Sequence, residues 1–378
     1  MKQLFFILFL TLSFLIQSTI ETKSKKKSPS KKQLPSYVQC SKPIRYHFQN
    51  ATYDRYYVQS TINEIEKRTF LKFKKENNSI KDIGINFYVN SKEDKVELSY
   101  DDKKPTVVNL TEKTYADRIL TRFFFGYALG LIPELARKDR DSDVKVFEKN
   151  ISDSYKKYYE KKSSYPESYY ATGFDFGSVM LAKPFFGNIS KNKRTYMSKF
   201  YPHYENQISN FYDLSFNDYK RLNLLYCKDK CKSSKKCAYS GYYGNTCKSC
   251  TCFLPFTGQY CTSYDIRSPE CGKDITIKAY SSKKTKTVKN FNGKCFYIIE
   301  AKNSKKKVKL TIEKFKINSP YSHSLYIRYR KDKGAEGLLI EKNVTNLSLP
   351  ALSNSVIINF YSYDKKNELV LKYQEVKK

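Results

Sequence analysis

Seven cysteines fall within 35 residues, at Cys227, Cys231, Cys237, Cys247, Cys250, Cys252 and Cys261. A segment this short cannot bury a core of its own, so crosslinks must hold it together. Disulfides persist in oxidising compartments, which points the chain towards secretion. Five residues separate Cys252 from Gly258, and two more separate Gly258 from Cys261, which closes the run. The glycine permits a tight turn inside that last loop. Six cysteines admit fifteen connectivities, so spacing alone leaves the pairing open.

The N-terminus agrees with secretion. Lys2 precedes an apolar run from Leu4 to Ile16 broken only by Thr11 and Ser13, and small or polar residues follow. This predicts a signal peptide over residues 1–18, too short in its apolar core to serve as a membrane anchor. No later apolar run is long enough to span a bilayer. Residues 19–42 read as a basic linker, with Lys23, Lys25, Lys26, Lys27, Lys31 and Lys32 around Ser28, Pro29 and Ser30. Asn-x-Ser/Thr sequons at Asn50, Asn77, Asn109, Asn150, Asn188, Asn343 and Asn346 mark candidate glycosylation sites.

The 378 residues carry 70 Lys and Arg against 37 Asp and Glu, a formal charge of +33. Such an excess raises a polyanion as a partner. The abundance of Lys, Tyr and Phe with no Trp also follows from A/T-rich codons, so charge alone bears on solubility and non-specific binding. A secreted product excludes nucleic acid as the target. Lys302, Lys305, Lys306, Lys307 and Lys309 form the densest basic cluster of the C-terminal part.

Around the cysteine cluster lie two larger regions. Residues 43–226 mix helical and strand signals. Val58, Ile62, Ile65 and Thr69 recur at helical spacing, predicting an amphipathic helix from Tyr56 to about Phe73. Ile83–Val89, Val96–Tyr100 and Thr106–Leu110 read as strands. A second helix is predicted from about Tyr115 to Leu129, capped by Gly130. Residues 268–378 alternate apolar and polar, with strands at Phe296–Ile299, Val308–Ile312, Leu325–Tyr329, Leu338–Ile340, Ser355–Phe360 and Leu369–Tyr373. About 110 residues of short strands predict a β-sandwich.

Several ordered motifs resemble one family. Ala128-Leu129-Gly130-Leu131-Ile132-Pro133-Glu134-Leu135-Ala136-Arg137-Lys138-Asp139-Arg140-Asp141 resembles the active-site segment of astacin-type zinc metalloendopeptidases. Phe174-Asp175-Phe176-Gly177-Ser178-Val179-Met180 resembles that family's Met-turn, and Lys42-Pro43-Ile44-Arg45-Tyr46 its first strand. Leu214 to Asn223 resembles its closing helix. The resemblance implies an α+β metzincin-like (astacin) domain over 43–227, an EGF-like module over 228–262 and an all-β CUB-like sandwich over 268–378, a layout familiar among nematode astacins.

The family motif is His-Glu-x-x-His-x-x-Gly-x-x-His, in which the histidines bind zinc and the glutamate activates the metal-bound water. Aligned on Gly130, the ligand positions hold Phe123, Tyr127 and Pro133, and the general-base position holds Phe124. The family's tyrosine after the Met-turn is replaced at Ala182. The only histidines, His47, His203 and His323, lie in three distant segments. The resemblance therefore implies a pseudoenzyme with no catalytic residue and no cofactor, the family zinc being lost, with rings filling the former metal site.

Scaffold roles carry over by position. Met180 would lie under the former metal site. Glu134 holds the place that receives the mature N-terminal ammonium in the family, and Arg137, Asp139, Arg140 and Asp141 would form the charged network after it. The resemblance pairs Cys231 with Cys247, Cys237 with Cys250, Cys252 with Cys261 and Cys271 with Cys295. Cys40 and Cys227 remain, either paired with each other or left as free or intermolecular thiols. The expected function is extracellular binding to proteins or glycans. The alternatives are an active zinc metalloendopeptidase and a polyanion-binding secreted factor.

Overall fold

The computed structural model describes residues 34–49, 54–89, 92–101, 103–208, 211, 213–231, 235–319 and 323–377. The predicted signal peptide, most of the basic linker and Asn50 lie outside the described residues. No helix among the described residues is long and apolar enough to cross a membrane.

The N-terminal part is built on a five-stranded sheet of β1 (Ile44–Phe48), β2 (Phe73–Lys75), β3 (Ile85–Val89), β4 (Lys95–Glu97) and β5 (Thr106–Leu110). Its order is β2-β1-β3-β5-β4. The pairings are parallel except for the short β4, which runs antiparallel along the β5 edge. Three helices matter for the cleft: α1 (Gln59–Arg68), α2 (Glu112–Ala116) and α3 (Arg118–Ala128). The first is shorter than its apolar period predicts, because a π-turn at Asp54–Val58 leads into it and Thr69 ends it in an extended conformation.

The second predicted helix is in fact two. Asp117 breaks the run with an extended backbone and caps α3, its carboxylate accepting from the Ile119 and Leu120 amides at 2.9 and 3.0 Å. Side-chain acceptors of this kind satisfy the orphan donors of a helix start. At the other end Gly130 sits at φ +82°. Its amide bonds to Tyr127 O and the Leu131 amide to Gly126 O, both at 2.9 Å. That is a Schellman motif, which needs the left-handed residue a glycine supplies.

A fourth helix, α4 (Phe216–Tyr226), closes this part. Ser215 and Asp218 form a reciprocal capping box at its start. Cys227 then pairs with Cys40 across 187 residues. In the cysteine-rich stretch Cys231 pairs with Cys247, Cys237 with Cys250 and Cys252 with Cys261.

The C-terminal part is all β. Its strands are β6 (Thr276–Ala279), β7 (Lys284–Lys289), β8 (Gly293–Ala301), β9 (Lys307–Lys316), β10 (His323–Arg328), β11 (Leu338–Ile340), β12 (Val344–Ser348), β13 (Ser355–Ser362) and β14 (Glu368–Val376). One sheet has the order β6-β8-β13-β10-β11, the other β7-β14-β9-β12. Inward residues alternate along β9 (Val308, Leu310, Ile312, Phe315) and β14 (Leu369, Leu371, Tyr373), all buried. Phe315 of one sheet meets Phe360 of the other edge-on at 5.4 Å, so the two apolar faces pack together. Cys271 and Cys295 pair beneath the start of β8.

Candidate functional site

Helix α3 is buried almost all round, because sheet, Met-turn and the loop that carries Tyr158 each cover one side of it. Phe125 faces the sheet, stacking on Phe87 at 5.5 Å and packing against Phe73 at 6.0 Å. Gly126 faces the Met-turn: a Cβ there would come within 2.7 Å of the Met180 sulfur, so only glycine lets the helix settle on that buried side chain.

The face where the family motif would lie is filled with rings. Phe123 and Phe124, both buried, meet edge-on at 5.3 Å. Phe123 packs on Phe186 at 5.1 Å and on Tyr158 at 5.7 Å. Tyr127, half-buried, packs on Tyr158 at 5.2 Å, and Tyr155 meets Phe186 at 5.0 Å. Edge-to-face pairs of this kind add to the transfer free energy of burying the rings. Burial pushes the Tyr127 phenol up to about 12, so it is neutral at physiological pH. Pro133 is buried, and its successor Glu134 donates its amide to Met180 O at 2.9 Å. Ala182 is buried too, its carbonyl accepting from the Tyr196 hydroxyl at 2.7 Å.

These residues do not fit a zinc ion. Phe123 and Pro133 carry no donor atom, Tyr127 offers only a neutral phenol, and Phe124 cannot accept a proton. The histidines stay apart. His47 lies in β1 with Nδ1 3.1 Å from Glu76 O. His203 packs on Phe200, and His323 opens β10 with Nε2 3.3 Å from Asp364. Among the described residues no group of three His, Cys, Asp or Glu side chains is placed to hold a metal.

The charged residues after Pro133 do come together. Glu134 and Arg221 of α4 are both fully buried and ion-paired, and Arg221 also reaches Asp218 at 3.2 Å. The Asp175 amide donates to the second Glu134 oxygen at 3.1 Å. Burial pushes the Glu134 carboxyl up to about 7, against the pull of Arg221 and Arg137. Two guanidiniums on one carboxylate favour its ionised form. Arg137 grips Asp139 at 2.8 and 2.9 Å and donates to Thr172 O at 2.7 Å. Arg140 bonds the Leu135 and Tyr159 carbonyls, and Asp141 pairs with Lys161. The Lys161 ammonium holds the exposed Asp141 carboxyl below the usual range.

Other residues shape the cleft without any local sequence signal. Tyr37 is buried and donates its hydroxyl to Ala128 O at the end of α3. The Met-turn segment is held from the C-terminal sheets. Asp332 accepts from the Gly173 amide at 2.8 Å, from Asn217 at 2.9 Å and from Ser240 at 3.1 Å. The Glu336 amide donates to Asp175 at 2.8 Å, and Arg330 pairs with Asp143 while lying over the Phe176 ring.

Comparisons with known proteins find relatives of the N-terminal part of the chain. The model of the astacin peptidase family matches residues 32–227. Zinc metalloproteinase nas-34 of Caenorhabditis elegans is 32% identical over 62% of this chain and 38% of its own length. Zinc metalloproteinase nas-37 of the same worm is 27% identical over 56% of this chain and 27% of its own. The chain thus spans well under half of these relatives. Among solved structures, high choriolytic enzyme 1, a hatching enzyme zinc-protease of Oryzias latipes, aligns at 17% identity and a TM-score of 0.39 over 48% of this chain and 88% of its own.

These matches correct one expectation from the sequence, that the chain has no cofactor. The relatives are zinc metalloproteinases, so zinc is the metal that comes with this family. With more than half of its residues inside the family model, from the linker before the first strand to the last helix, this chain belongs to the astacin family.

Proposed function

We propose that this chain is a secreted astacin-family protein that does not cleave peptides and acts by binding in the extracellular space. One observation carries the reading. Aligned on Gly130, Phe124 falls at the family's general-base position, and its ring is buried against Phe123, Tyr158 and Phe186. A phenyl ring cannot take a proton from water, and this ring is wholly enclosed by its neighbours. The rest of the chain is organised for contact with other molecules. Three bridges within residues 231–261 support an EGF-like module over 228–262. Nine strands in two facing sheets support a CUB-like module over 268–378, and the peptidase-like part takes 43–227. Five disulfides support secretion, with residues 1–18 as the signal peptide and 19–42 as the linker. Asn77, Asn343 and Asn346 are exposed and available to glycans.

The test is a peptide-library cleavage assay on the purified secreted protein, with and without a chelator, and with zinc content measured on the same sample. The expected result is no chelator-sensitive cleavage. Cleavage that a chelator abolishes and added zinc restores would establish an active metalloendopeptidase instead.

A further inference from the structure

The outer face of the β7-β14-β9-β12 sheet carries an unusual charge pattern. Residues directly opposite across a strand pair point to the same side of a sheet. Leu310 and Tyr373 are paired and buried, as are Ile312 and Leu371, so their neighbours point outwards. The register then puts Lys307, Lys309, Lys314 and Lys316 of β9, Lys372 of β14 and Lys289 of β7 on one outward face. Lys289, Lys316 and Lys372 are exposed, and the other three half-buried along their stems.

Two carboxylates share this face. Glu313, at the β9 register shift, pairs with Lys372. Glu368 pairs with Lys314 at 2.6 Å, and Lys289 and Lys316 also act on its charge. Six lysines against two glutamates leave an excess of positive charge. Lys307 and Lys309, at one end, have no ion-pair partner among the described residues. Lys302 and Lys305 lie exposed on the turn just before them, while Lys306 turns away to pair with Glu375 at 2.8 Å. From Lys307 to Lys316 the stripe is roughly 30 Å long at the rise of a strand.

We propose that this face binds an extended sulfated glycan of the extracellular matrix. Ammonium groups strung along a strand suit a linear polymer with charge repeated along it rather than one small ion enclosed in a cavity. The stripe presents lysines at both ends and in the middle, so a chain laid along β9 meets positive charge throughout. Between its lysines lie Thr311, Val370 and Gln374, with no large apolar side chain to enter a lipid bilayer. The inference goes beyond the cleft reading and holds whether or not the cleft cuts.

The experiment measures binding of the full chain to size-defined heparin oligosaccharides at physiological salt, with Lys307→Gln/Lys309→Gln/Lys316→Gln beside a control triple, Lys81→Gln/Lys191→Gln/Lys193→Gln. Both variants lose the same charge, and thermal unfolding checks that both fold. The expected result is a loss of about tenfold or more in affinity for the sheet triple and less than about twofold for the control. Equal losses, or no binding at physiological salt, would overturn the inference, since diffuse charge is screened there. Binding to anionic phosphatidylserine vesicles that the oligosaccharide fails to compete would overturn it as well.

Discussion

The Asp332 carboxylate, on the loop between β10 and β11, accepts the backbone amide of Gly173 at 2.8 Å, 159 residues earlier in the chain. Gly173 begins the segment that runs to Met180, so a loop of the C-terminal part holds that segment directly. The same carboxylate takes Asn217 of α4 and Ser240 of the disulfide-rich stretch. Asp332→Ala would leave the Gly173, Asn217, Ser240 and Gly334 donors without this acceptor, at about 3 kcal/mol. Chemical denaturation is expected to show the loss and a split into two transitions, since the contact joins separate parts of the fold. A single, unshifted transition would refute it.

The ring cluster predicts the cost of undoing it. Phe124 is fully buried, and Phe124→Ala is expected to destabilise by about 3–5 kcal/mol. Phe124→Glu is expected to cost at least as much, because it buries a carboxylate among aromatic rings. Urea melts of both variants check this. A loss under about 1 kcal/mol for either would mean that the cluster is open to solvent.

Lys333 predicts a pH dependence. Its ammonium is buried and donates to Ser355 O at 2.7 Å and Ser353 Oγ at 3.1 Å. Burial pulls it down from 10.5 to about 7. A depressed lysine binds fewer protons folded than unfolded between those values, so its contribution to stability rises with pH from about 7 to about 10.5 and is lost as pH falls through 7. Lys333→Met removes the titration. Melts at pH 6, 8 and 9.5 are expected to show a steeper rise for the natural chain than for the variant, and parallel curves would contradict the assignment.

The Cys40–Cys227 bridge predicts a large effect for one bond. It closes a loop of 187 residues, and long loops gain most from closure. Cys40→Ser/Cys227→Ser is expected to cost about 2–5 kcal/mol, read as a fall in thermal midpoint. Mass mapping without reduction checks the pairing itself, and a labelled Cys227 thiol would exclude it.

Sequence and structure agree best where the pattern is local. The alternation in β9 and β14 was legible because every second residue enters one continuous core. Strands β6, β7 and β12 were not, since edge strands rich in lysine and threonine bury few of their residues. The break at Asp117 was hidden because the apolar period continues through it; only the capping geometry shows two helices. At the site, the aromatic run before Gly130 announces the burial of Phe123 and Phe124 among rings. Their neighbours Tyr158 and Phe186 were not legible, because nothing near them in sequence says which rings they meet. The Glu134–Arg221 pair, 87 residues apart, was hidden for the same reason.

The Cys40–Cys227 bond also has a topological consequence. It makes residues 40–227 one covalent ring that contains the sheet, the α3 helix and the segment ending at Met180. A protease that nicks an exposed loop anywhere inside that ring opens it without releasing a fragment. The cut protein still migrates as a single species until it is reduced, and both pieces stay attached to the residues that follow Cys227.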